Sequence, residues 1–227
     1  MRKMSNFVIC AIDNGLARVY NLMCKHTTED FMYKECKTER SQARQRLIGN
    51  TLLGMMAKKP YDDISVTDLC EELDMPRKAF YRYFDDKESA LDCVIAQRLA
   101  SFPMSRSNPP QAPRMLHREL ESFFKFWLEH RDMIEILDKN GKLTKIMDTC
   151  MSFPLESIVS MDKLLPGEDM RIREKVYRFA ISGLISLVID WYREGFSTSS
   201  ADVTKIAVRL LTKAPFPSLS QFGMVDV

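Results

Sequence analysis

From Ser41 to Lys213 apolar side chains recur at three- and four-residue steps, and no stretch of useful length alternates as a half-buried strand does. A three-to-four rhythm gathers the apolar groups on one side of a helix, so such a chain can fold only by laying helix against helix. The expected class is all-α. Stop signals divide the run. Lys58 and Lys59 followed by Pro60 end a first helix that begins near Ser41, and Asn140-Gly141, Pro166-Gly167 and Gly195 end later ones. Between them the pattern predicts helices over 115–130, 131–139, 143–153, 169–195 and 201–213. The segment SFPMSRSNPPQAPR, 101–114, holds four prolines and is expected to be a linker or exposed loop. The first 37 residues are expected to be an extension, with a short amphipathic helix over 7–24 and a polar stretch after it. Internal methionines at Met4, Met23 and Met32 leave open where the native protein starts. The domain reading is 1–37 extension, 38–100 helical head, 101–114 linker, 115–214 helical body and 215–227 tail.

Within the head, ISVTDLCEELDMPRKAFYRYFDDKESAL (64–91) is the stretch with chemistry. Ser65 and Asp68 form a capping box that starts a second helix, which runs to about Leu73. Asp74 and Met75 make a turn, Pro76 fits the first position of a third helix, and Asp85 and Asp86 suit the N-terminus of a fourth. Leu69, Leu73, Ala79, Phe80 and Phe84 point inward by spacing. That leaves Arg77, Lys78, Tyr81, Arg82 and Tyr83 on and around the outer face of the third helix. Long cations and hydroxylated aromatics are what base-edge and phosphate contacts in a DNA groove require. Lys87 adds a cation beside the amides of the fourth helix. The plain structural alternative is that these groups coat a solvated helix.

Charge totals do not favour nucleic acid. The chain carries a formal net charge of +2, and Thr38–Ala100 has ten Lys/Arg against eleven Asp/Glu, a net of −1. Any affinity for phosphate therefore rests on placement: Met75–Phe84 contains three cations and no acid.

The string KKPYDDISVTDLCEEL, the turn, FYRYF and DDKESAL together resemble the N-terminal DNA-binding domain of the TetR/AcrR family of transcriptional regulators, over residues 41–91. The resemblance implies a three-helix helix-turn-helix domain followed by a helical domain for dimerisation and ligand binding. It implies base contacts from Arg77 and Lys78, with Arg82 as a third, and phosphate contacts from Thr67, Tyr81, Tyr83 and Lys87. Three positions depart from the family pattern: Asp74 stands where glycine is usual, Ala79 where threonine is frequent and Pro76 where serine is frequent. Asp tolerates a left-handed backbone, so the turn is expected to survive.

In the body, FAISGLISLVI (179–189) is apolar on nearly every side and must be covered on both faces. A second subunit is one cover; burial inside a single subunit is the other. Family members usually dimerise through their last two long helices, which implies a face from Leu184, Leu187, Val188, Trp191, Val203, Ile206 and Leu210. They often enclose an effector, and Phe123, Phe124, Trp127, Met133, Leu137, Met147, Phe153, Tyr177 and Trp191 are the expected lining of such a pocket. Aromatic and Met stripes at this spacing also make ordinary core. FFKFWLEHRDMIEILDKNG resembles a segment of activators of dihydroxyacetone kinase operons only loosely.

The six cysteines form no CxxC pair, and the three histidines have no metal-ligand or nucleophile–base spacing, so neither cofactor nor metal is expected and an enzyme is not. The apolar run 179–189 is about half of the roughly 20 residues a membrane span needs. The expectation is a cytoplasmic homodimer that binds double-stranded operator DNA, responds to a small-molecule effector and has no membrane partner. The rival reading is a helical interaction protein that keeps the fold, binds a partner protein or metabolite and no longer reads DNA.

Overall fold

The computed structural model describes Lys34, residues 36–102, 113–152 and 169–212. The expected helix over 7–24, the position of Phe153, the Pro166-Gly167 stop and the tail lie outside these residues. Among the described residues the chain is all-helical: α1 (Glu39–Met56), a 3₁₀ turn (Tyr61–Asp63), α2 (Val66–Glu72), α3 (Arg77–Phe80), α4 (Lys87–Ala100), α5 (Pro113–Glu129), α6 (Arg131–Lys139), α7 (Thr144–Ser152), α8 (Met170–Arg193) and α9 (Ser200–Thr212).

Local chemistry sets these ends. The side chain of Thr38 caps α1 in a box with Ser41, Ser65 caps α2 in a box with Asp68, and Asp86 caps α4 in a box with Ser89. Pro76 lies one place earlier than expected, at the N-cap of α3. Pro113 opens α5 inside the expected linker, at a position where its missing N–H costs nothing.

Three helices end alike. Met75 N–H donates to the Cys70 carbonyl and Asp74 N–H to that of Glu71. Lys142 and Gly141 repeat the pair on Leu137 and Asp138, and Phe196 and Gly195 on Trp191 and Tyr192. Each is a Schellman cap, which needs a left-handed residue just past the helix. Gly141 (φ 64°) and Gly195 (φ 67°) fill that place after α6 and α8, but after α2 it falls to Asp74, with φ 45°. The turn of the helix-turn-helix is thus a glycine-type cap made with aspartate. Asp74→Gly is expected to stabilise the head by about 0.5–1 kcal/mol by removing the Cβ clash of that conformation, and Asp74→Val to destabilise it. Urea unfolding followed by hydrogen exchange on α4 measures both.

Two compact units result. The first contains α1–α4 together with α6 and α7; the second contains α5, α8 and α9. The expected division was a head of 38–100 and a single body of 115–214; α6 from Asp132 onward and α7 cluster with the helices of the head. In the first unit α1 lies along α4, and α7 packs on α4. Ile48, Leu52, Leu53 and Met56 of α1 and Ala90, Leu91, Cys93, Val94 and Ile95 of α4 are buried, with Leu69, Phe80 and Phe84 from the helices between them. Leu47 is 45% exposed, since it lies to one side of the stripe carried by Ile48, Leu52 and Met56.

In the second unit α5 and α8 both pack on α9. Phe124 and Trp127 of α5, Ile185, Val188 and Trp191 of α8, and Val203 and Ala207 of α9 are buried. Trp191 meets Phe124 edge-on at 6.0 Å and donates its indole N–H to the Thr198 carbonyl at 2.7 Å. No described helix is long and apolar enough to cross a membrane.

Candidate nucleic-acid interface

The α2–turn–α3 element is held from beneath. Phe80 and Phe84 are fully buried with ring centroids 5.7 Å apart. Four residues of α3 meet the helix criterion, but the backbone keeps turning: Tyr83 N–H donates to the Phe80 carbonyl and Phe84 N–H to the same oxygen. Burying positions 80 and 84, one turn apart, forces the intervening and preceding residues outward. Arg77, Lys78, Tyr81 and Arg82 are exposed, and Thr67, Ala79 and Tyr83 half-buried. Among the described residues none of Arg77, Lys78 and Arg82 has an acid partner, so all three charges are available to an anion. Arg77 reaches the Tyr81 hydroxyl at 3.5 Å, a one-turn spacing that orders both side chains on the same face. Tyr81 also meets Phe80 edge-on at 5.4 Å. The structure thus brings together Arg77, Lys78, Tyr81 and Arg82 on one outer surface.

Lys87 opens α4 as expected, with its side chain turned onto the head itself. Its Nζ donates to the carbonyls of Tyr61 (2.6 Å) and Ile64 (2.7 Å) and sits 3.9 Å above the Tyr61 ring. Burial lowers the pKa of this ammonium, and nearby Lys142 lowers it further against the pull of acids around it. In this conformation Lys87 holds the 3₁₀ turn to α4, and two of its three N–H groups are committed to that task.

A polar network around Lys87 had no signature in the sequence. Glu88 accepts from the Tyr61 hydroxyl at 2.5 Å and pairs with Lys145 at 2.7 Å and Lys142 at 3.4 Å. Lys145 also pairs with the buried Asp92 at 2.7 Å. Asn140 accepts from the Tyr61 backbone N–H at 2.6 Å and donates to the Met56 carbonyl at 3.2 Å. These contacts fasten α7 and the turn before it to α4 and the 3₁₀ turn, which explains why that part of the body packs with the head. Burial raises the Asp92 carboxyl. Burial also pushes Glu88 up, but hydrogen bonds from Lys145 and Tyr61 outweigh it and hold the carboxyl down at about 2.

The expected body sites fare unevenly. Val188, Trp191 and Val203 are buried within the chain, so they cannot form a face for a second subunit. Leu184 and Leu187 are half-buried. Ile206 (48%) and Leu210 (44%) are exposed as a dimer face requires, and Phe179 (78%) and Val176 on α8 are exposed as well. Neither Val176 nor Phe179 was expected there: the pattern of an all-apolar helix does not say which side the chain itself covers. The expected pocket residues divide between the units. Phe123, Phe124, Trp127, Tyr177 and Trp191 lie in the second, and Met133, Leu137 and Met147 in the first. Phe153 is outside the described residues.

Residues 52–92, which run from the last five residues of α1 through the first turns of α4, match the family model for bacterial regulatory proteins of the tetR family. The chain is 26% identical over 132 residues to an uncharacterized HTH-type transcriptional regulator, YuxN, of Bacillus subtilis. That alignment covers 52% of this chain and 45% of the relative, so the chain spans about half the relative's length. Among solved structures it resembles a tetR-family transcriptional regulator from Streptomyces coelicolor, with a TM-score of 0.50 and 19% identity over 78% of this chain and 80% of that one. A dihydroxyacetone kinase operon activator, DhaS, aligns over 81% of this chain and 98% of its own at 18% identity and a TM-score of 0.46. The helix-turn-helix whose outer face carries cations without an acid partner is thus the same element over which the chain resembles the tetR family of bacterial regulatory proteins, residues 52–92.

Proposed function

We propose that the protein acts as a homodimer that reads a near-palindromic operator, with one α3 in each of two successive major grooves about 34–36 Å apart. The observation that carries this reading is the set of exposed, acid-free cations on α3 above the buried Phe80–Phe84 pair. Arg77 and Lys78 read base edges, with Arg82 as a third; Thr67, Tyr81 and Tyr83 contact phosphate. The exposed apolar groups of α8 and α9, Val176, Phe179, Ile206 and Leu210, form the face that a second copy covers. A small ligand in the second unit modulates binding. Its support is Trp127, whose buried indole N–H has no acceptor among the described residues and whose ring meets those of Phe123 and Phe126 edge-on.

The test is selection of duplexes from a random pool by the purified protein, followed by binding measurements on the enriched sequence. A two-fold related site and a dimer mass in solution are expected. Arg77→Ala and Lys78→Ala should each cost about 1–3 kcal/mol on the selected site and much less on random duplex, because a lost base contact removes discrimination. Loss of affinity in equal measure on both DNAs would reassign these residues to phosphate. Failure to enrich any sequence, together with capture of a protein or metabolite, would favour the interaction-protein reading.

A further inference from the structure

Two glutamines of α1 are buried, Gln42 at 8% exposure and Gln45 at 0%. A buried primary amide needs acceptors, and these find theirs in the backbone just before the helix. Gln42 donates to the Cys36 carbonyl at 3.0 Å, and Gln45 to the Lys34 carbonyl at 2.8 Å. Gln45 also reaches the Tyr83 carbonyl at 3.4 Å, in the DNA-reading element. Cys36 is itself buried. Lys34 and Cys36, expected to belong to an extension, are therefore stitched to the fold and act as a strap ahead of α1.

The stitching delivers one side chain to a defined place. Lys34 Nζ lies 2.8 Å from the Tyr81 carbonyl, at the C-cap of α3, and 2.6 Å from Asp85. Both acceptors are negative features close to the phosphate-contacting tyrosines: a carbonyl at a helix C-terminus, and a carboxylate that is 73% exposed. Left alone, each would repel a phosphate backbone. The head as a whole cannot mask them, since its net charge over Thr38–Ala100 is −1.

We infer that Lys34 is a positioning residue for DNA binding: held by the strap contacts of Gln42 and Gln45, it neutralises Asp85 and caps the Tyr81 carbonyl, so that α3 meets phosphate without a local negative edge. The inference rests on the DNA-binding reading above. It assigns a role in recognition to a residue that lies outside the helix-turn-helix and the matched domain.

The test uses the full chain and the duplex selected by the wild type, with Lys34→Ala, Asp85→Asn and the double variant measured at low and high salt. Lys34→Ala is expected to bind about three- to tenfold more weakly at low salt, with the gap closing as salt rises. Asp85→Asn alone should bind at least as tightly as the wild type. The double variant should return to within about twofold of it, because removing the acid removes the need for the lysine. A purely structural strap would give a defect that neither Asp85→Asn nor salt relieves, and that result overturns the inference. So does unchanged binding by Lys34→Ala. If the wild type itself binds no DNA with salt sensitivity, the DNA-binding reading fails and this inference with it.

Discussion

Lys145→Met is expected to destabilise the first unit by about 3 kcal/mol at neutral pH, because breaking a buried ion pair strands the remaining charge. The stranded group is Asp92, whose side chain is 5% exposed and which pairs with Lys145 at 2.7 Å. Lys145 is itself only 15% exposed, so water replaces little of what is lost. Asp92→Leu in the same background should recover most of the loss, since an apolar pair in place of a buried ionic one is often neutral or better. The pH response separates the partners. Glu88 is held at about 2, below its ordinary 4.5, so its contribution is present above about pH 4.5 and is lost as pH falls from there toward 2. Asp92 is raised by burial and runs the other way: its contribution is present below its ordinary 3.8 and is lost as pH climbs through the raised value. The penalty of Lys145→Met should therefore shrink in mild acid, where Asp92 takes up a proton. Both tryptophans lie in the second unit, so their fluorescence does not report on this one. Hydrogen exchange on α4 against urea is the suitable measurement, and a penalty that is flat with pH would contradict the assignment to Asp92.

Gly49→Ala and Gly54→Ala, the same change on the same helix, are expected to shift stability in opposite directions. A Cβ at Gly54 meets nothing within 4 Å, so alanine gains about 0.5–1 kcal/mol of helix propensity. A Cβ at Gly49 would stand 2.7 Å from Val94 Cβ and 3.3 Å from the Ala90 carbonyl oxygen, both on α4. Neither atom can rotate away, so α1 and α4 must separate. Overpacking of this kind costs about 1–3 kcal/mol, and a larger side chain such as Gly49→Leu costs more. Because α1 carries Gln42 and Gln45, separation also disturbs the strap and the Tyr83 backbone. Weaker DNA binding should accompany the loss of stability in Gly49→Ala and not in Gly54→Ala. Equal stability for the two variants would mean that the helices are not in close contact at Gly49.

Much of this was legible beforehand for reasons that are local. Helix positions follow from apolar rhythm and from caps: Ser65 with Asp68, and Gly141 and Gly195 at left-handed places, act within a few residues of themselves. The outward set on α3 was legible because Phe80 and Phe84 are large and one turn apart, which leaves one orientation open. The contacts of Lys87 were not legible because its partners, the carbonyls of Tyr61 and Ile64, carry no side-chain signature. Gln42 and Gln45 gave no warning either. In a sequence they look like solvated helix residues, and only burial turns their amides into a demand for acceptors.

The sequence by itself determined the all-α class, the helix-turn-helix and the identity of the groups on its outer face, since these depend on spacing and capping along the chain. Tertiary structure alone decided which side of α8 is covered, so that Val188 and Trp191 are core and Phe179 is surface. It also decided that α7 packs with the head through Lys145, and that Lys34 reaches Asp85 across 51 positions of chain. The physical reason is common to all three. A side chain's role is set by what stands opposite it, and partners distant in sequence are brought opposite only by packing.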